Sequence, residues 1–235
     1  MAAASIGTNI DDPAHSATAQ LRRRRQRRGD RRDPQLSRQL ILSAAQDEFT
    51  AFGLNGARID RIAKRAGAGK NLIYHYFGSK ERLYLNVLED IYRQMRHEQD
   101  DSALRALPAV EGMRTLVANT FDHFAHTPAL VRLMSVENIH FAKYLKKSTS
   151  VKPLYGPLLE TIRTLLTNGQ EAGVFRKNVD VVDLYISISG LAYFYLSNRH
   201  SLSWIFDRAL DEHRHLQQRR KHVVDMILGY LQHGV

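Results

Sequence analysis

The stretch Ile59 to Leu83, IDRIAKRAGAGKNLIYHYFGSKERL, limits the folds open to this chain more than any other. Ile59, Ile62, Ala63 and Ala66 recur at intervals of 3, 1 and 3, the apolar face of one short helix. Gly67 ends that helix, because glycine takes the left-handed conformation of a C′ position at little cost. Gly67-Ala68-Gly69 has about the length of elbow that a helix-turn-helix allows. A second helix is predicted over Lys70–Phe77, with Leu72, Ile73 and Tyr76 toward the first and Lys70, Asn71, Tyr74 and His75 outward. Ser79 is placed to cap a third helix, and Glu81 in its first turn complements the dipole. The second helix then stands proud of the surface, as a helix must to enter a major groove about 12 Å wide. Pattern alone fits a helical hairpin of any all-α protein equally well.

Upstream, Asp33-Pro34 is a helix start: an N-cap acid, then proline at N1, where no amide partner is needed. Ile41, Ala45, Phe49 and Phe52 give that helix a core stripe up to Gly53. The words over this region, ILSAAQDEFTAFGLNGARID, then IAKRAG and LIYHYFGSKERL, resemble the DNA-binding domain of the TetR/AcrR family of bacterial transcription regulators, from about Gln35 to Leu88. The family often has Thr at the position of Arg58, Val-Ser at Ala68-Gly69 and Gly-Thr at Asn71-Leu72; Asn-Leu occurs in a subgroup. Phosphate contacts made by hydroxyls at the positions of Arg58, Gly69 and Leu72 therefore do not carry over. The DNA-facing set expected here is Lys70, Asn71, Tyr74 and His75, with Arg58 and Arg61 beside them. Lys80 would contact phosphate at a helix N-terminus, and Tyr76 would pack or touch a phosphate.

Charge agrees with that end being the nucleic-acid end. The net charge is +10, and residues 1–32 hold eight arginines against three aspartates. Like charges this dense repel, so residues 1–32 read as a disordered basic arm, lying on DNA phosphates or serving only as a solubilising tail. A polyanion is the expected partner, since no large apolar face accompanies the arginines to suit a membrane surface. No apolar run is long enough to span a bilayer, there is no secretory h-region, and there is no cysteine. The expected location is the cytoplasm.

The expected organisation is all-α. A three-helix helix-turn-helix domain over 33–80 follows the arm, and a larger helical effector-binding and dimerisation domain spans 81–235. In the larger part helices are predicted near Ser79–His97, Val110–His126, Pro128–Lys146, Lys152–Ala172, Val181–Arg199 and Leu210–Gln232, with a turn at Leu202–Phe206. This half resembles the TetR C-terminal domain in helix count and order. Phe121, Met134, Asn138, Phe141, Tyr155 and Tyr185 are candidate walls of a small-molecule pocket, which wants apolar surfaces and a few placed polar groups. Each is also an ordinary core candidate. Leu184, Ile188, Leu191 and Tyr195, and Val223, Val224, Ile227, Leu228 and Leu231, form stripes on the last two long helices. The resemblance implies that these helices build a homodimer, so the stripes are expected between chains; burial within one chain is the alternative.

The His123/His126 and His213/His215 pairs lack a third ligand at a metal spacing, so no metal is expected, and no cofactor. Neither a phosphate-cradling glycine motif nor a nucleophile elbow is present, so no enzyme is expected. The resemblance implies a sequence-specific repressor on palindromic double-stranded DNA, released by a small-molecule effector. An activator of the same type, or a sequence-tolerant DNA-binding protein without an effector, fits the residues as well.

Overall fold

The computed structural model describes residues 33–97 and 103–232, so the basic arm expected over 1–32 lies outside the described residues. Nine α-helices are described, with three short 3-10 turns. Helix α1 (Pro34–Gly56) starts on Asp33, whose carboxylate accepts from the Gln35 amide at 2.9 Å. Its regular course breaks at Gly53, the residue expected to end it, which sits at φ 62° and sends one last turn off at an angle. Helix α2 (Ile59–Ala66) ends on Gly67 at φ 59°, and α3 (Lys70–Phe77) follows two residues later. Ser79 Oγ accepts from the Arg82 amide at 3.1 Å to cap α4 (Lys80–His97). Ile41, Ala45, Phe49, Ile62, Ile73, Phe77, Leu83 and Tyr84 are buried together and fix the three N-terminal helices on α4.

Helix α4 runs on into the second half. There α5 (Ala109–His126), α6 (Pro128–Ile139), α7 (Gly156–Glu171), α8 (Val181–Ile205) and α9 (His213–Gln232) pack around Met113, Val117, Phe121, Ile162, Ile188 and Val223. Asp180 caps α8 through two backbone amides at 2.8 and 2.9 Å. The Arg220 Nε–H reaches both carboxylate oxygens of Asp122 at 2.8 Å and pins α9 along α5. Gly169 of α7 lets Phe175 lie flat on the helix, since a Cβ there would come within 2.0 Å of the buried ring. Gly169→Ala is expected to cost about 1–3 kcal/mol by overpacking, read as a lower Tm with DNA binding unchanged below the transition.

Three expectations about helix ends are corrected. The helix expected to reach Lys146 stops at Ile139, and Phe141 and Ala142 both take φ 55°. The cause is Glu137, 3% exposed, whose Oε2 accepts from the Tyr144 and Leu145 amides at 3.2 and 2.9 Å and draws the chain back across the helix end. Helix α8 does not end at Arg199: with no Gly or Pro to stop it, it absorbs the expected turn and continues to Ile205. The last helix begins at His213, because the Leu210 amide is held by Ser203 Oγ at 3.1 Å instead of entering the helix.

A larger correction concerns the two stripes. Leu184, Ile188, Val223, Val224, Ile227, Leu228 and Leu231 are all buried within a single chain, and Tyr195 nearly so. They are core against α5 and each other, not a surface held for a second copy.

Candidate nucleic-acid interface and ligand cluster

Helix α3 can stand out because α2 and α4 hold its inner face. Ile73 and Phe77 are buried, Leu72 and Tyr76 half-buried, and Lys70, Asn71, Tyr74 and His75 exposed. The Lys70 ammonium is 2.6 Å from Asp60 of α2, so the first outward residue is tethered in the free protein. The hydrogen bond and charge of Lys70 hold the exposed Asp60 carboxyl below its usual range. Arg58, at the N-cap of α2, is exposed with its guanidinium 3.8 Å from the same carboxylate. Lys80 sits at the start of α4 with Nζ 3.5 Å from the Asn55 carbonyl. The ring of Tyr76 packs between His75 and Phe77, at 5.6 and 6.2 Å.

Arg61 is placed differently from the rest. Its Nε–H donates to Glu48 Oε1 at 2.6 Å, its Nη2 to the Gly56 carbonyl at 2.8 Å, and its guanidinium lies 4.2 Å over Phe52. Glu48 is 1% exposed and also accepts from the Arg58 amide at 2.9 Å. One buried carboxylate therefore ties α1 to the N-terminus of α2, and Arg61 faces it. Sequence reading missed Glu48, because an acid between Asp47 and Phe49 looks like part of a solvated face.

The six candidate pocket residues do not converge. Phe121 is core, Asn138 is exposed with its amide on the Met134 carbonyl, and Phe141 is 84% exposed on its left-handed turn. Asn138 and Phe141 are thus corrected as pocket walls: Asn138 lies on the outer face of α6, and the Glu137 turn carries Phe141 to the surface. Met134 is half-buried in α6. Tyr155 and Tyr185 do come together, rings 5.8 Å apart, and Tyr92 of α4 joins them 6.4 Å from Tyr155. Arg96, one turn along α4, lies 6.0 Å over the Tyr155 ring. Burial first, then the neighbouring phenols, pushes the Tyr92 and Tyr155 hydroxyls far above their ordinary range, so both stay neutral donors. Tyr193 adds a hydroxyl 2.7 Å from Ser135. The signal that would have found Tyr92 is its place one helix turn before Arg96, on a helix serving both halves.

Helix α4 links the two regions. Tyr84 packs edge-on against Phe49 of α1 at 5.1 Å and against Tyr144 at 5.4 Å. Glu89 accepts from Ser148 at 2.6 Å, and Tyr92 lies two turns beyond Tyr84. Among the described residues no helix is long and apolar enough to cross a membrane, and no cluster of three or more His, Asp or Glu is placed to hold a metal.

Residues 41–87 match the model for bacterial regulatory proteins of the tetR family, and residues 110–227 match the tetracyclin repressor-like C-terminal domain. The chain is 35% identical over 167 residues to the HTH-type transcriptional repressor NicS of Pseudomonas putida, covering 71% of this chain and 79% of NicS. The crystal structure of transcriptional regulator SCO4942 from Streptomyces coelicolor superposes with a TM-score of 0.61 at 26% identity, over 83% of this chain and 98% of that one. FadR of Bacillus subtilis, solved in complex with stearoyl-CoA, shares the fold at a TM-score of 0.58 and 19% identity, over 82% of this chain and 98% of FadR.

Proposed function

This chain belongs to the TetR family of bacterial transcription regulators, and on that premise we propose that it is a cytoplasmic homodimeric repressor that grips a palindromic operator and lets go when a small molecule enters its second half. The observation that carries DNA reading is α3 itself: a helix anchored by Ile73 and Phe77 that offers Lys70, Asn71, Tyr74 and His75 on one exposed face. Asn can pair bidentately with adenine, and a cationic Lys suits guanine or phosphate. Asp60 orients Lys70 before DNA arrives and must yield it to a phosphate on binding.

Asn71→Ala and His75→Ala are expected to relax sequence preference, each base contact being worth about 1–3 kcal/mol. Lys80→Ala is expected to weaken all duplexes alike. Titrating each variant against the preferred duplex and a scrambled one separates these effects. Equal losses on both duplexes for Asn71 and His75 would place a different face of α3 on the bases.

The effector reading rests on Tyr92, Tyr155 and Tyr185, where hydroxyls and ring faces from α4, α8 and the intervening turn meet. A ligand wedged there moves α4, whose other end carries Tyr84 against α1. A ligand that fits one α4 position better than the other shifts the population by that difference in affinity. The test is a reporter behind the selected duplex. Expression of the chain should lower its output, and a ligand that restores output should lose its effect with Tyr155→Ala. Output that rises on expression would make the chain an activator.

The dimer reading rests on a second apolar face of the same helices whose inner stripes are core. Val182 and Ile186 of α8 and Met226 and Tyr230 of α9 stay exposed in the single chain. Gly190, one turn beyond Ile186, has open space where a Cβ would stand, room for a second helix to approach closely. Contiguous apolar surface of this kind marks an interaction site.

A further inference from the structure

At the far end of the α8–α9 hairpin a cavity of about 590 Å³ opens between Phe194, Tyr195, Leu202, Phe206, Arg208 and Arg219. That size lies within the range of small-molecule sites, roughly 300–1,000 Å³. It is separate from the Tyr92–Tyr155–Tyr185 cluster, with which it shares no residue. Phe194, Leu202 and Phe206 make an apolar, mainly aromatic wall. Leu210 and two guanidinium groups, with no carboxylate, complete the lining beside Tyr195.

The arginines have unused capacity. Arg219 donates one bond, from Nη2 to the Leu191 carbonyl at 3.1 Å, and lies 5.5 Å from the centre of the Tyr195 ring. Its Nε is buried without a hydrogen-bond partner. Among the described residues no carboxylate pairs with Arg219 or with Arg208; the Tyr195 hydroxyl does not serve either, since it donates to the Leu210 carbonyl at 2.8 Å. A half-buried cation without a counter-charge is unfavourable, and guanidinium–carboxylate pairing in a fork is its strongest relief.

We propose that this cavity is a second ligand site, taking a small organic anion with an aromatic body: the ring stacks among Phe194, Tyr195 and Phe206, and the carboxylate sits between Arg208 and Arg219. The site goes beyond the operator and effector readings and needs neither of them, because binding is read without DNA.

The chain supplies its own reporter. Trp204 is the single tryptophan, on α8 between the cavity residues Leu202 and Phe206. The full chain is titrated with 4-phenylbutyrate, 4-phenylbutanol and 4-phenylbutylamine, one body with three head groups, following Trp204 emission and Tm. The carboxylate is expected to bind at least about tenfold tighter than the alcohol, and the amine not at all, each charged hydrogen bond being worth that much. Arg208→Gln, at an exposed position, should remove about tenfold of the carboxylate affinity without changing Tm, and Arg219→Gln as much again if it stays folded. Leu202→Trp should abolish binding by filling the cavity, read by Tm. Equal binding of the three head groups, binding that survives both Arg208→Gln and Leu202→Trp, or no binding at millimolar carboxylate would each overturn the site. Binding lost with Tyr155→Ala but not with Leu202→Trp would also overturn it, and would place the anion in the tyrosine cluster instead.

Discussion

Ile186→Glu is expected to give a folded, helical monomer, and Ile188→Glu, two residues along the same helix, a chain that does not fold. Ile186 is 59% exposed and Ile188 fully buried in the single chain. At position 186 the charge stands in water until a second copy arrives, so the free chain tolerates it. In the proposed dimer a two-fold axis would present the position twice, losing about 1.5–3 kcal/mol of apolar burial on each side. Burying the carboxylates adds to that loss. Association should weaken by at least two decades, about 3 kcal/mol. Sedimentation at micromolar concentration should find a monomer that keeps weak half-site binding and loses the palindrome. At position 188 the carboxylate would enter the packing of α8 on α5 and α9. If Ile186→Glu remained dimeric, the exposed α8 face would not be the dimer surface.

Arg61→Ala is expected to destabilise the DNA-binding half by about 2–4 kcal/mol, below the full value of a broken buried pair because Arg61 is itself partly in water. Glu48 would keep the Arg58 amide and lose the guanidinium that pairs with it. The same variant also removes the cation over Phe52. Specific and non-specific DNA binding should fall together at temperatures near the lowered transition and recover on cooling. Replacing both partners with apolar residues, Glu48→Leu with Arg61→Met, should regain most of the stability, because no buried charge is then left unpaired. An unchanged Tm with weakened DNA binding would instead make Arg61 a DNA contact, as its place in the sequence suggested.

These two cases mark where the sequence was legible and where it was not. The caps at Asp33 and Ser79, the left-handed Gly67 and the inner face of α3 are local chemistry, and local chemistry can be read from residues in order. Glu48 cannot be read that way, since its value comes from an amide and a guanidinium ten and thirteen residues away. Helix α8 is apolar almost all round, so both of its faces look like interface. Only packing tells that Ile188 is buried on the side where α8 meets α5 and α9 of its own chain while Ile186 stays exposed. Asn138 and Phe141 were illegible as surface residues for a related reason. Aromatic residues cluster wherever a helical domain has a core, and the turn that exposes Phe141 depends on a carboxylate, Glu137, reaching back over a helix end.

Selection of bound duplexes from a random pool by residues 1–235 reads the symmetry of the preferred operator. A dimer presenting two α3 helices requires half-sites about 34–36 Å apart centre to centre, or a multiple, on one face of the duplex. The expected outcome is one enriched palindrome, with Asn71→Ala relaxing the same position in both halves and Ile186→Glu recovering single half-sites only. Enrichment without symmetry, or retention of all duplexes in proportion to length with affinity set by salt alone, would contradict it and leave a sequence-tolerant DNA-binding protein.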